Sequence, residues 1–108
     1  MRSLADPLPL GCGAVLRSRI AKAAMSENLG SAADNAPSAA LEALYRAWAE
    51  SGSGLLITGN VMVDRRHRAE PGNVVIDEQT PQEGLARWAA AARAGGAAVW
   101  VQLNHPGR

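Results

Sequence analysis

Two very short glycine breaks constrain this chain more than any other feature. Residues 52–54 (Gly-Ser-Gly) and 95–96 (Gly-Gly) each join an amphipathic helical pattern directly to an apolar run. The connections in the other sense, from apolar run to helix, are long: residues 27–36 and 61–79. Strands that alternate with helices imply a parallel sheet with right-handed crossovers. Short returns and long strand-to-helix loops are typical of a (β/α) barrel, which carries its chemistry on those loops. A doubly wound sheet is the rival, and no strand here is followed by the glycine-rich phosphate turn that would favour it.

The local signals follow this frame. Residues 8–10 and 14–16 are apolar pieces around Gly11, Cys12 and Gly13, which predicts a small hairpin. Residues 19–26 (RIAKAAMS) suit a strand, although their alanines equally suit a helix. Ser38 after Pro37 is an expected helix N-cap, and Leu41, Leu44, Tyr45 and Trp48 share one helical face before Gly52 ends the helix. A buried strand is expected over residues 55–58, ending at Gly59 and Asn60, with residues 61–79 as an active-face loop. Thr80-Pro81-Gln82-Glu83 predicts a second helix, with Thr80 capping, Pro81 in the first position and Glu83 closing a capping box. Its apolar face is Leu85, Trp88, Ala89 and Ala92. Residues 97–102 form the third expected strand. Trp48, Trp88 and Trp100 are all expected in the core.

Composition narrows the function. The chain has 108 residues, enough for one domain, with 11 basic and 10 acidic side chains and a net charge of +1. That balance offers nothing to nucleic acid or an anionic membrane. The densest basic cluster, Arg65, Arg66, His67 and Arg68, reads as a solvated loop. A single cysteine, Cys12, precludes an internal disulfide, and one Cys with two histidines distant in sequence makes no metal motif. No apolar run reaches the ~20 residues of a membrane helix, and the first twenty residues lack the apolar core of a secretory signal. A soluble cytoplasmic protein is the expectation.

The three apolar runs end in polar or small residues: Ala23, Ala24, Met25 and Ser26; Gly59 and Asn60; and Gln102, Asn104, His105 and Arg108. Three parallel strand ends aimed at one place make a site. RIAKAAMSEN, GLLITGNVMV and WVQLNHPGR, in this order and spacing, resemble the N-terminal part of Old Yellow Enzyme-type NADH:flavin oxidoreductases. The Leu-x-x-Leu-Tyr-x-x-Trp helix and its following glycines fit the same family, so the resemblance covers residues 8–108.

That resemblance implies the N-terminal portion of an FMN-binding (β/α)8 barrel, with a hairpin closing the barrel bottom. It implies hydride transfer from NADH or NADPH through FMN to an activated alkene or similar small-molecule acceptor. Ala23, Ala24, Met25 and Ser26 then stand where the first strand end meets the flavin, and Gly59 and Asn60 stand beside its pyrimidine side. Gln102 matches the glutamine that hydrogen-bonds the ring. An amide offers both donor and acceptor to the alternating N–H and C=O edge of an isoalloxazine. Asn28 stands where some relatives carry a substrate-contacting tyrosine. His105 is expected to order its loop with Arg108, and His67 to be exposed.

A full barrel needs roughly 250 residues, so the chain is expected to be truncated after its third barrel strand, without the carbonyl-polarising His/His or His/Asn pair and the proton-donating tyrosine that the resemblance implies. A complementing C-terminal barrel segment is one expected partner. The alternative is a non-catalytic remnant that self-associates through its open sheet edge.

Overall fold

The computed structural model describes residues 1–107. Two antiparallel strands, β1 (Leu8–Pro9) and β2 (Val15–Leu16), form the expected hairpin. Then follow β3 (Ala21–Lys22), α1 (Ala39–Ala49), β4 (Leu55–Met62), β5 (Val74–Val75), α2 (Gln82–Arg93) and β6 (Ala98–Asn104). β4 is the central strand. It pairs in parallel with β3 on one side and β6 on the other, and near its C-terminal end with β5. The order β3, β4, β6 is that of successive strands in a barrel wall, as expected.

The core lies between this sheet and the two helices. Tyr45 is its centre, fully buried, with Trp48 and Trp88 edge-on at 5.0 and 5.3 Å between ring centroids. Such edge-to-face geometry aligns ring edges with the electron-rich face of a neighbour. Leu41, Leu56, Val61, Val74, Ala92 and Ala97 complete the cluster. Ser38 caps α1 as expected, its Oγ accepting from the Leu41 N–H at 3.1 Å, and Gly52 follows the helix with φ 85°.

Arg17, just after the hairpin, ties the floor together. Its guanidinium donates to the carbonyls of Ala49 at 3.0 Å, Ser53 at 3.0 Å and Gly95. These carbonyls lie at or just beyond the C-terminal ends of α1 and α2, where helices leave oxygen acceptors unpaired and the dipole favours a cation.

Several expectations need correction. Thr80 does not cap α2: the N-cap is Pro81, with no side-chain cap. The Thr80 hydroxyl instead donates to the Val75 carbonyl and accepts from the Asp77 N–H, which leaves no capping box. Residues 61–79 are not one loop, because β4 continues through Val61 and Met62 and β5 lies inside the stretch. The apolar pattern simply runs on past Gly59. Only Ala21–Lys22 of residues 19–26 is strand. Trp100 is not core but 53% exposed, and Ala89 faces solvent. Ala89 nevertheless stays on the expected apolar side of α2, where it lines an open groove with Leu85, Trp88, Val99 and Val101.

The residues between β4 and α2 are pinned by Arg65, which pairs with both Asp77 carboxylate oxygens at 2.8 and 2.9 Å and donates to the Asp34 carbonyl. The Asp77 side chain is only 10% exposed. The Arg65 guanidinium holds the Asp77 carboxyl below the usual carboxylate range. Near acid pH the unfolded chain therefore binds the proton more readily, so this stabilisation is present above pH ~3.9 and is lost as pH falls through the folded value. Urea midpoints measured from pH 6 downward (an interval of about three pH units) should fall steeply for the native chain and less steeply for Asp77→Asn.

Candidate functional site

The C-terminal ends of β3, β4 and β6 converge, and the local cause is a break in β4. Pairing with β6 matches Ile57 to Trp100 and then Asn60 to Gln102, so one extra residue of β4 is accommodated between them. Such a bulge re-aims the side chains beyond it. Here it sets Asn60 directly beside Gln102. Asn60 Nδ2 in turn donates to the Ser26 hydroxyl at 3.3 Å. Three polar residues, one just beyond β3 and one each near the C-terminal ends of β4 and β6, thus lie side by side.

The bulge is held from beneath. The Gly59 N–H donates to Glu27 Oε2 at 3.1 Å, and the Tyr45 hydroxyl donates to the same oxygen. Burial and the Glu27 carboxylate push the Tyr45 phenol well above its ordinary value, so it stays protonated and donating. Gly59 touches the chain beyond β3 so closely that a Cβ there would fall on the Met25 carbonyl and the Glu27 carboxylate. Only glycine permits that approach. Thr58 supports the other side, its hydroxyl accepting from the Gln102 N–H at 3.0 Å. Lys22 lies 4.5 Å from the Trp48 ring and 5.5 Å from that of Tyr45, a cation over aromatic faces. Burial lowers its pKa, opposed by the charge of Glu27.

The structure thus unites Ser26, Gly59, Asn60 and Gln102 among the residues singled out by sequence. Ala23 and Ala24 follow β3, exposed and half-buried, and Met25 is exposed and presents its carbonyl to Gly59. Gln102 is exposed and lies within β6 rather than at its end, because the strand continues to Asn104. Its side-chain amide makes no hydrogen bond among the described residues. Asn28, at φ 57°, turns its side chain toward Gly72 in the loop before β5. Arg108 lies outside the described residues, so its expected role beside His105 does not enter. Glu27, Tyr45 and Thr58 are the supports that sequence reasoning missed. Glu27 stands in a polar, glycine-containing stretch that reads as plain loop, and Tyr45 shows only its aromatic side to a periodicity argument.

A model of the NADH:flavin oxidoreductase / NADH oxidase family matches residues 3–108. The chain belongs to this family. Among its curated relatives, the NADH-dependent flavin oxidoreductase iliE of Hypocrea jecorina is 40% identical over 106 residues, covering 94% of this chain and 26% of that protein. The chain thus spans about a quarter of that relative's length. Morphinone reductase superposes with a TM-score of 0.79 at 25% identity, covering 97% of this chain and 27% of that one. The old yellow enzyme from Trypanosoma cruzi gives 0.81 at 24% identity, covering 97% and 27%. The described residues are accordingly a partial (β/α)8 barrel of the Old Yellow Enzyme type.

Two substitutions test how the flavin-family site is supported. Gly59→Ala should destabilise the chain by about 2 kcal/mol or more, since the methyl group meets backbone that cannot swing aside. Tyr45→Phe, which takes one donor from a half-buried carboxylate, should cost about 1–2 kcal/mol. Urea unfolding followed by tryptophan fluorescence reads both.

Proposed function

We propose that this chain forms the first wall of an FMN site in an oxidoreductase that moves hydride from NADH or NADPH through FMN to an activated alkene or similar acceptor. The observation that carries the reading is the row Ser26, Asn60 and Gln102, set side by side toward the C-terminal side of three successive strands. The donor set suits the group. Gln102 and Asn60 offer amide donors and acceptors to a ring edge of alternating N–H and C=O groups, and the Gln102 amide is free to turn toward it. FMN, when bound, supplies the hydride-accepting and hydride-donating chemistry. The chain's own residues bind and orient the ring. Gln102 and Asn60 hold its polar edge, Ser26 donates beside it, and Ala23, Ala24 and Met25 give it a close apolar neighbour. Asn28 is the proposed acceptor-side residue. NADH is favoured as reductant because the curated relatives are named as NADH-dependent. The cytoplasm is the proposed setting, supported by a single free and exposed cysteine.

The free side of β6 supports the proposed partner. Trp100, Val101 and Leu103 are 53%, 45% and 62% exposed, and among the described residues β6 pairs only with β4. A complementing barrel segment that adds a parallel strand there would cover them and supply the remaining catalytic groups. The same exposure supports a second reading, a non-catalytic module that self-associates through this edge.

Titrating FMN into the 108-residue chain should give weak, saturable quenching of flavin fluorescence without NADH oxidation. Gln102→Ala and Asn60→Ala should each weaken binding by about tenfold, equivalent to one hydrogen bond to a polar ring. Light scattering should show monomer under those conditions. A stable oligomer indifferent to FMN would instead establish the self-associating module.

A further inference from the structure

The two histidines are far apart in the sequence and adjacent in the fold. β4 and β6 run out together, their pairing extended by the Val63 N–H donating to the Asn104 carbonyl at 3.4 Å. Asp64 and His105 therefore follow immediately on neighbouring chains. A turn closed by the His67 N–H on the Asp64 carbonyl, at 3.0 Å, returns His67 to the same spot. The imidazole centroids of His67 and His105 lie 5.2 Å apart with their planes tilted by 42°. One ligand atom from each of Asp64, His67 and His105 lies within 4.8 Å of the others.

We propose that Asp64, His67 and His105 bind a divalent first-row transition metal of the zinc type, which clips the loop after β4 to the loop after β6. Two imidazoles and one carboxylate are a borderline-soft donor set that suits Zn2+, Ni2+ or Cu2+. With a single carboxylate and no other oxygen ligand among the three, the set offers little to Mg2+ or Ca2+, which demand oxygen shells. Tetrahedral zinc wants its donors about 3.3 Å apart. Rotation of exposed side chains closes the cluster to that spacing, since both histidines stand in solvent. Three protein ligands leave a fourth position for water.

Two contacts must yield. Arg66 pairs with Asp64 through both oxygens, at 2.8 and 3.0 Å, but its side chain is 80% exposed and swings freely into water. His105 Nδ1 accepts from the Gly107 N–H at 3.0 Å. Coordination through either ring nitrogen opens that exposed bond, which water replaces. The strands so clipped are those that carry Asn60 and Gln102, yet the inference does not depend on flavin binding.

The test is calorimetric titration of Zn2+ into the 108-residue chain carrying Cys12→Ser, which removes an exposed free thiol as a competing soft ligand. One equivalent should bind with micromolar affinity, and Mg2+ should not bind. Adding His67→Ala or His105→Ala should each weaken zinc binding by about tenfold or more. Both residues are exposed, and circular dichroism checks that the variants stay folded; His67→Gln and His105→Gln give the same answer with the side-chain bulk kept. In NMR spectra Ni2+ should broaden the ring protons of both histidines together. Zinc uptake unchanged by loss of either histidine, or no saturable uptake at all, would overturn the proposal.

Discussion

The Glu27 carboxylate is the contact on which both core and site depend. It accepts from the Tyr45 hydroxyl on α1 and from the Gly59 N–H on β4, while itself belonging to the chain just beyond β3. A carboxylate withdrawn from water is costly unless its oxygens are hydrogen-bonded. Here two donors from two different elements satisfy one oxygen. Because the acceptor is shared, the position of the helix and the bulge of the central strand are set by one group. The bulge decides which way Asn60 points, and so whether it meets Ser26 and Gln102.

Much of this architecture can be read from residue patterns. The glycine breaks at residues 52–54 and 95–96 announce the barrel-like asymmetry, and Ser38 caps α1 where its hydroxyl is expected. The motifs at the three strand ends locate the polar row. Other features escape because they depend on long-range partners. Thr80 is different: it carries every local mark of a helix cap, yet its hydroxyl serves the turn before it, bonding the Val75 carbonyl and the Asp77 N–H, so one local bond displaces another. Val74 and Val75 are too short a run to announce a strand, and become one only because β4 extends past Gly59 to meet them. Trp100 reads as core from its apolar run, but a residue is buried only if something covers it.

The same distinction governs the chemistry. Gln102 is legible because its motif is contiguous. The conjunction of His67 with His105 is illegible, because it is created by the parallel pairing of β4 with β6 and by a turn in the loop between them. In a parallel sheet every strand points its end the same way, so residues separated by a whole helix become neighbours at one rim. Spacing rules for metal motifs, written for contiguous loops, do not see such neighbours.

The pin formed by Arg17 has a consequence for how the chain acquires its structure. Its three acceptors lie 32, 36 and 78 residues further on. On a ribosome delivering the chain from its N-terminus, the guanidinium meets the carbonyls of Ala49 and Ser53 long before that of Gly95 exists. The first β-α-β unit can therefore close on the hairpin as an early nucleus, and the second is received by a cation already held in place. Loop closure grows more costly only slowly with separation, so the late bond is reached with the larger part of its ordering already complete.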